Sequence, residues 1–153
     1  MAVVAELLIV SLDTATLGLP AADVIEVARA VAVTLVPGCP PSVEGVVNVR
    51  GRACPVYDLR ARFGLRPRPV ARDEHLVIAN AGARGTVVVR VSRAVALRQV
   101  DDAALATAPP STDPIVRALV QLPDGLLVVC DLAAFLSDLE ATQTTRALAG
   151  AGA

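Results

Sequence analysis

Residues 46–64, VVNVRGRACPVYDLRARFG, constrain the fold more than any other stretch of the chain. Val46, Val47 and Val49 are β-branched and suit a pleated, half-buried surface. Arg50, Gly51 and Arg52 interrupt them with the residue type that accepts positive φ, the mark of a hairpin turn. Cys54, Val56 and Tyr57 resume the apolar pattern. Asp58 stands directly before Leu59, Ala61 and Phe63, where its carboxylate can accept bonds from the first free amides of a helical turn. The stretch predicts strand, tight turn, strand and a short helix capped by Asp58. The same order of features returns in residues 119–136, LVQLPDGLLVVCDLAAFL, with Pro123, Asp124 and Gly125 as the turn and Asp131 in the place of Asp58. This echo argues for two similar β units, each closed by a capped helix.

Short Val-rich runs predict further strands at residues 6–11, 17–19, 24–28, 31–36, 75–81, 86–91 and 94–100, with a second-unit hairpin at 116–121 and 126–131. Proline clusters make residues 37–41 a loop and 101–114 a long irregular loop. Residues 65–73 hold two prolines and three arginines and read as a connection between the two packing units. Aromatics are only 2% of the chain, so Val, Leu and Ala must supply nearly all the packing volume, while 54% hydrophobic residues exclude disorder. The expected fold is all-β with short helices, a single domain over residues 1–139, with 140–153 as a helix end or frayed tail. Strand alternation places Ile25 and Val27 on the face opposite Glu26, as candidates for the core. Of Val46, Val47 and Val49, at least one is expected to add to an apolar surface beside the hairpin.

No apolar run approaches the length of about 20 residues that spans a bilayer, so membrane insertion is not expected and a cytoplasmic protein is. A net charge of -1 gives no basic field for nucleic acid. Cys39, Cys54 and Cys130 lack CxxC spacing, which suggests neither a disulfide framework nor a zinc site. Cys54 and Cys130 lie in strand-like runs and read as buried thiols, and Cys39 as the exposed one. His75 has no second ligand at metal spacing, and Asp101 with Asp102 reads as part of a solvated loop. Phosphate-binding and serine-nucleophile motifs are missing, so no catalytic residue, metal or cofactor is expected. A small enzyme using Cys54 or Cys130 as nucleophile is the alternative of another class.

Asn48, Val49, Arg50 and Gly51, followed by Pro55 to Arg60 and Arg62 to Gly64, resemble the signature of CheW-like domains, the adaptors of bacterial chemotaxis. Ile25, Glu26 and Val27 and the proline-rich approach at 37–41 are similar to the same family. The resemblance implies paired five-stranded, SH3-like barrels with a groove between them. It implies a non-catalytic scaffold, recruited to receptor arrays, that couples methyl-accepting chemoreceptors to a CheA-type histidine kinase through the kinase's regulatory domain. It places the receptor-binding region at Glu26, Val27, Val47, Asn48, Arg50 and Gly51, with Arg50 paired to Glu26. The chain departs from the family pattern at Arg90, where an acidic residue is usual, and nearby at Ser92. These two mark a second-barrel partner surface and open a narrower reading, an adaptor that binds receptor but not kinase.

Overall fold

The first apolar run forms β1 (Val4–Leu12), which turns at Asp13 and Thr14 into β2 (Ala15–Pro20). Asp13 takes φ of 55°, a left-handed conformation that Asp tolerates better than most side chains. One 3-10 turn, Ala21–Asp23, leads to β3 (Val24–Arg29). The opening signature forms β4 (Val43–Val49), β5 (Arg52–Asp58) and a 3-10 turn at Arg60–Phe63. Then come β6 (His75–Asn80), β7 (Thr86–Val91), β8 (Arg93–Asp101), the two-residue β9 (Leu105–Ala106), β10 (Val116–Leu122), β11 (Gly125–Cys130) and a helical turn at 132–134. The computed structural model describes residues 4–30, 33–38, 43–82, 85–101, 105–106, 116–123 and 125–134. Cys39, Asp102 and the expected tail at 140–153 lie outside the described residues.

The protein is mainly β, with strands ordered β8-β1-β2-β11-β10-β9 in one sheet and β3-β6-β7-β5-β4 in the other. Each has five principal strands, and β9 extends the first. The sheets do not follow the halves of the sequence. The β6–β7 hairpin joins β3, β4 and β5 from the first half, and the β1–β2 hairpin joins β8, β10 and β11 from the second. Each half lends its hairpin to the other. Residues 65–73 therefore do not connect two units, because β5 and β6 on either side of them lie in one sheet. The crossings fall instead between β2 and β3 and between β7 and β8. The reason is pairing: β5 runs parallel to β7, with Val56 opposite Val88, and β11 runs parallel to β2, with Val129 opposite Gly18. Parallel neighbours need a long crossover rather than a tight turn.

These registers superpose one sheet on the other strand by strand. Leu76 of β6 takes the place of Leu7, Val88 that of Gly18, Val56 that of Val129 and Gly45 that of Ala118. Irregularities repeat as well. The register shifts at Ile25 on β3 and at Val95 on β8, and again at Glu44 on β4 and Arg117 on β10. A bulge re-aims side chains, so equivalent bulges give the two sheets the same local shape.

Among the described residues three apolar clusters hold the strands. The largest lies between the sheets and takes Leu8, Val10 and Leu12 from β1, Val77 and Ala79 from β6, and Val87, Val89 and Val91 from β7. Alternate residues of the same strands point the other way, Leu7 and Ile9 into a core of the six-stranded sheet, and Leu76, Ile78 and Val88 into one of the five-stranded sheet. The two hairpins are thus buried on both faces, which is why their sequences are nearly continuous aliphatic runs.

Candidate functional site

Arg50 and Gly51 are the two turn residues between β4 and β5, with φ of 51° and 84°. Positive φ at both positions matches the turn to the right-handed twist of the flanking strands. Asn48 pins this turn, its Oδ1 accepting the Gly51 N–H at 2.8 Å. Arg50 is exposed and shares a depression of about 120 Å³ with Ile25, Val49, Cys54, Ile78 and Thr86. Val47 is half-buried against the inner core of the same sheet.

Glu26 and Arg50 form no ion pair among the described residues, contrary to the resemblance. The bulge at Ile25 breaks the alternation, and it is Ile25 that lines the depression beside Arg50. Nor are Ile25 and Val27 core residues, since they are 45% and 40% exposed on an edge strand. Their equivalents on the other edge strand, Val95 and Leu97, are 60% and 61% exposed. β8 meets β6, the neighbour of β3, at the seam between the sheets. His75 lies across from Arg29 of β3, and its Nδ1 accepts the N–H of Ala94 of β8 at 2.8 Å.

Arg90 presents no partner surface, and half-buried Ser92 bonds within the chain. Arg90 is completely buried, in the five-stranded sheet, on the face of β7 shared with Val88. Its Nε donates to Glu44 Oε2 at 2.7 Å, Nη1 to Glu74 Oε1 at 2.6 Å, and Nη2 to Asp58 Oδ2 at 3.2 Å. The backbone carbonyls of Arg68 and Pro69 accept two more bonds, at 2.6 and 3.2 Å. Arg60, 1% exposed, donates to the second oxygens of the same acids, Glu74 Oε2 at 2.8 Å and Asp58 Oδ1 at 3.4 Å. It reaches across to the β1–β2 turn through Asp13 Oδ2 at 3.2 Å and meets Ser92 Oγ at 3.3 Å. Ser92 Oγ also accepts the Asp13 N–H at 2.8 Å. Glu74 and Asp58 thus bridge two guanidiniums, and the cluster ties one sheet to the hairpin of the other.

The electrostatics follow from that geometry. Burial alone would lower the pKa of Arg90, but hydrogen bonds to Glu44 and Glu74 outweigh it and raise it above the ordinary arginine value. The Arg60 hydrogen bond holds the Asp13 carboxyl below its usual range. Burial pushes Glu74 up, yet the Ala71 amide and both arginines bring it below its usual value, whereas burial prevails at Glu44 and raises it. Every buried side-chain nitrogen and oxygen among the described residues is satisfied.

Asp58 Oδ1 accepts the Arg60 N–H at 3.0 Å, and Asp131 Oδ1 accepts the Ala134 N–H at 3.1 Å. Among the described residues Asp131 is a helix cap alone, while Asp58 is a cap and an ion-pair partner. Cys54 and Cys130 are buried, and burial pushes the Cys130 thiol up to about 12. Among the described residues no cluster of His, Cys, Asp and Glu is placed to hold a metal, and no helix is long and apolar enough to cross a membrane.

The crystal structure of the scaffolding protein TtCheW from Thermoanaerobacter tengcongensis superposes on this fold with a TM-score of 0.76 at 26% identity, covering 84% of this chain and 89% of that one. The Probable chemotaxis protein CheW of Rhizobium etli is 31% identical over 109 residues, 71% of this chain and 67% of the relative. The Chemotaxis protein CheW of Helicobacter pylori is 29% identical over 85 residues, 54% of this chain, and the match spans about half, 52%, of that relative's length. The family model of the CheW-like domain matches residues 6–140. With the hairpin signature, the paired sheets and these matches in agreement, the chain belongs to the CheW-like domain family.

Proposed function

We propose that the chain is a non-catalytic adaptor that couples a methyl-accepting chemoreceptor to a CheA-type histidine kinase in chemotaxis-like signalling, on the cytoplasmic side of a receptor array. The observation that carries this reading, beside family membership, is the aliphatic surface exposed on the two edge strands that flank the seam where β8 meets β6. Ile25 and Val27 on β3 and Val95 and Leu97 on β8 leave aliphatic surface open to solvent, and exposed aliphatic residues of this kind suit a partner protein. A helical receptor tip would lay its own apolar residues along that seam, with the exposed Arg50 turn orienting it. The kinase's regulatory domain would pack elsewhere, on an end of a sheet.

Arg90 is completely buried and Ser92 is bonded to Asp13 and Arg60, which weighs against reading the two as the mark of a receptor-only adaptor. Cys130, with its thiol pushed up to about 12, offers no thiolate near neutral pH, which weighs against a thiol enzyme. The test is a binding assay of the purified chain with a receptor signalling tip and with a kinase regulatory domain, separately and together. The adaptor reading predicts both binary complexes and a ternary one. Failure to bind either partner contradicts it.

A further inference from the structure

The two sheets are equivalent in register, but one end of each is finished differently. In the five-stranded sheet the inner core of Leu76, Val56 and Ala30 is closed by Arg90, held by Glu44 at the β4 bulge. In the six-stranded sheet the registers put Pro20 at the position of Arg90, and Arg117, at the β10 bulge, at the position of Glu44. The charge at the bulge is reversed, and the side chain that would plug the end is missing. What remains is a cleft of about 340 Å³ whose floor is Leu7, Val100, Val120 and Val129 and whose rim includes Glu6, Pro20 and Arg117. Arg117 is exposed and has no hydrogen bond or ion pair among the described residues.

We propose that this cleft binds a small amphipathic anion, an aliphatic body that covers Leu7, Val100, Val120 and Val129 and ends in a carboxylate held by Arg117. The size lies within the range of about 300 to 1,000 Å³ common for small-molecule sites, and an apolar floor with one placed charge is their usual chemistry. Arginine suits a carboxylate because its planar fork can donate two parallel bonds. The occupant of the equivalent end points the same way: there a charged group lies over the same aliphatic positions and is gripped from the bulge by the opposite charge. Glu6 repels a second anionic group, which limits the ligand to one charged end.

Octanoate is the probe, titrated calorimetrically into the full chain, with octylamine as its counterpart of opposite charge. The expected result is saturable one-site binding of octanoate, no binding of octylamine, and affinity roughly tenfold weaker in Arg117→Gln, in keeping with the loss of a charge-assisted pair. Arg117 is exposed, so the variant should melt with the parent. Ala118→Phe, which fills the cleft beside the bulge, should abolish binding. Absence of octanoate binding, equal binding of octylamine, or affinity unchanged in Arg117→Gln overturns the proposal. If octanoate fails to bind while Arg117→Gln loses a kinase regulatory domain, the cleft is a protein contact and the proposal is wrong.

Discussion

At the residue scale, two aspartates in equivalent places have unequal duties. Asp131→Ala removes a cap and should cost roughly 0.5 to 2 kcal/mol. Asp58→Ala removes a cap and also a shared counter-ion of Arg60 and Arg90, and breaking a buried pair typically costs about 3 to 5 kcal/mol, so denaturant midpoints should show it the more damaging of the two. Equal losses would mean the cluster contributes nothing. Its pH dependence has a definite sign. Asp13 and Glu74 have folded values below their ordinary 3.8 and 4.5, so their stabilisation is present above those values and is lost as pH falls through the folded ones. Glu44 is raised and works the opposite way, its contribution fading as pH rises through its folded value. Loss of stability below pH 4.5 should therefore be shallower in Glu74→Gln than in the parent, measured by denaturation across acid pH, and an identical slope would count against the assignment. Sequence made both aspartates legible as caps, because capping is local. It could not show the cluster, whose partners are 46 residues apart for Arg90 and Glu44 and 47 for Arg60 and Asp13. The one available cue was an arginine inside TVVVRV, a run too apolar for a surface strand.

At the element scale the hairpins were legible and their partners were not. β4, β5, β7, β10 and β11 follow from alternation and turn residues, which act within a few positions. Alternation in β3 predicts Ile25 and Val27 buried opposite Glu26, but the strand lies at a sheet edge with residues 25–29 all exposed, and nothing local in VIEVAR marks an edge. Residues 65–73 looked like an unattached connection and are not. Arg90 holds the carbonyls of Arg68 and Pro69, and Glu74 accepts the N–H of Ala71, so buried charges fasten a segment whose side chains, Leu65 apart, are exposed. Trypsin is blocked at Arg66 and Arg68 by the prolines that follow, which leaves the bond after the exposed Arg72. Within residues 65–101, the first cleavage should fall there and not after buried Arg90. Peptide mapping of early digests decides it, and early release of the bond after Arg90 would contradict the burial of β7.

At the scale of the whole molecule, the exchange of hairpins makes the two halves interdependent. A chain nicked after Arg72 should keep both pieces in one folded particle, because each sheet contains strands from both sides of the cut. Gel filtration and circular dichroism of the nicked protein would show this, and separation into two folded halves would refute the topology. The echo between residues 46–64 and 119–136 had suggested two units. It could not say that they trade hairpins, since long-range pairing is set by which registers bury both faces. The same exchange pairs β3 with β6 and sets β8 against β6, at the seam on which the adaptor reading depends. The most direct measurement is the affinity of a receptor signalling tip for the parent chain and for Val27→Asp combined with Leu97→Asp, with melting temperatures alongside. Both positions are exposed, so folding should survive, while a charge placed in an apolar contact should weaken binding at least tenfold, worth about 1.4 kcal/mol or more. Unchanged affinity at an unchanged melting temperature would contradict the seam as the receptor site.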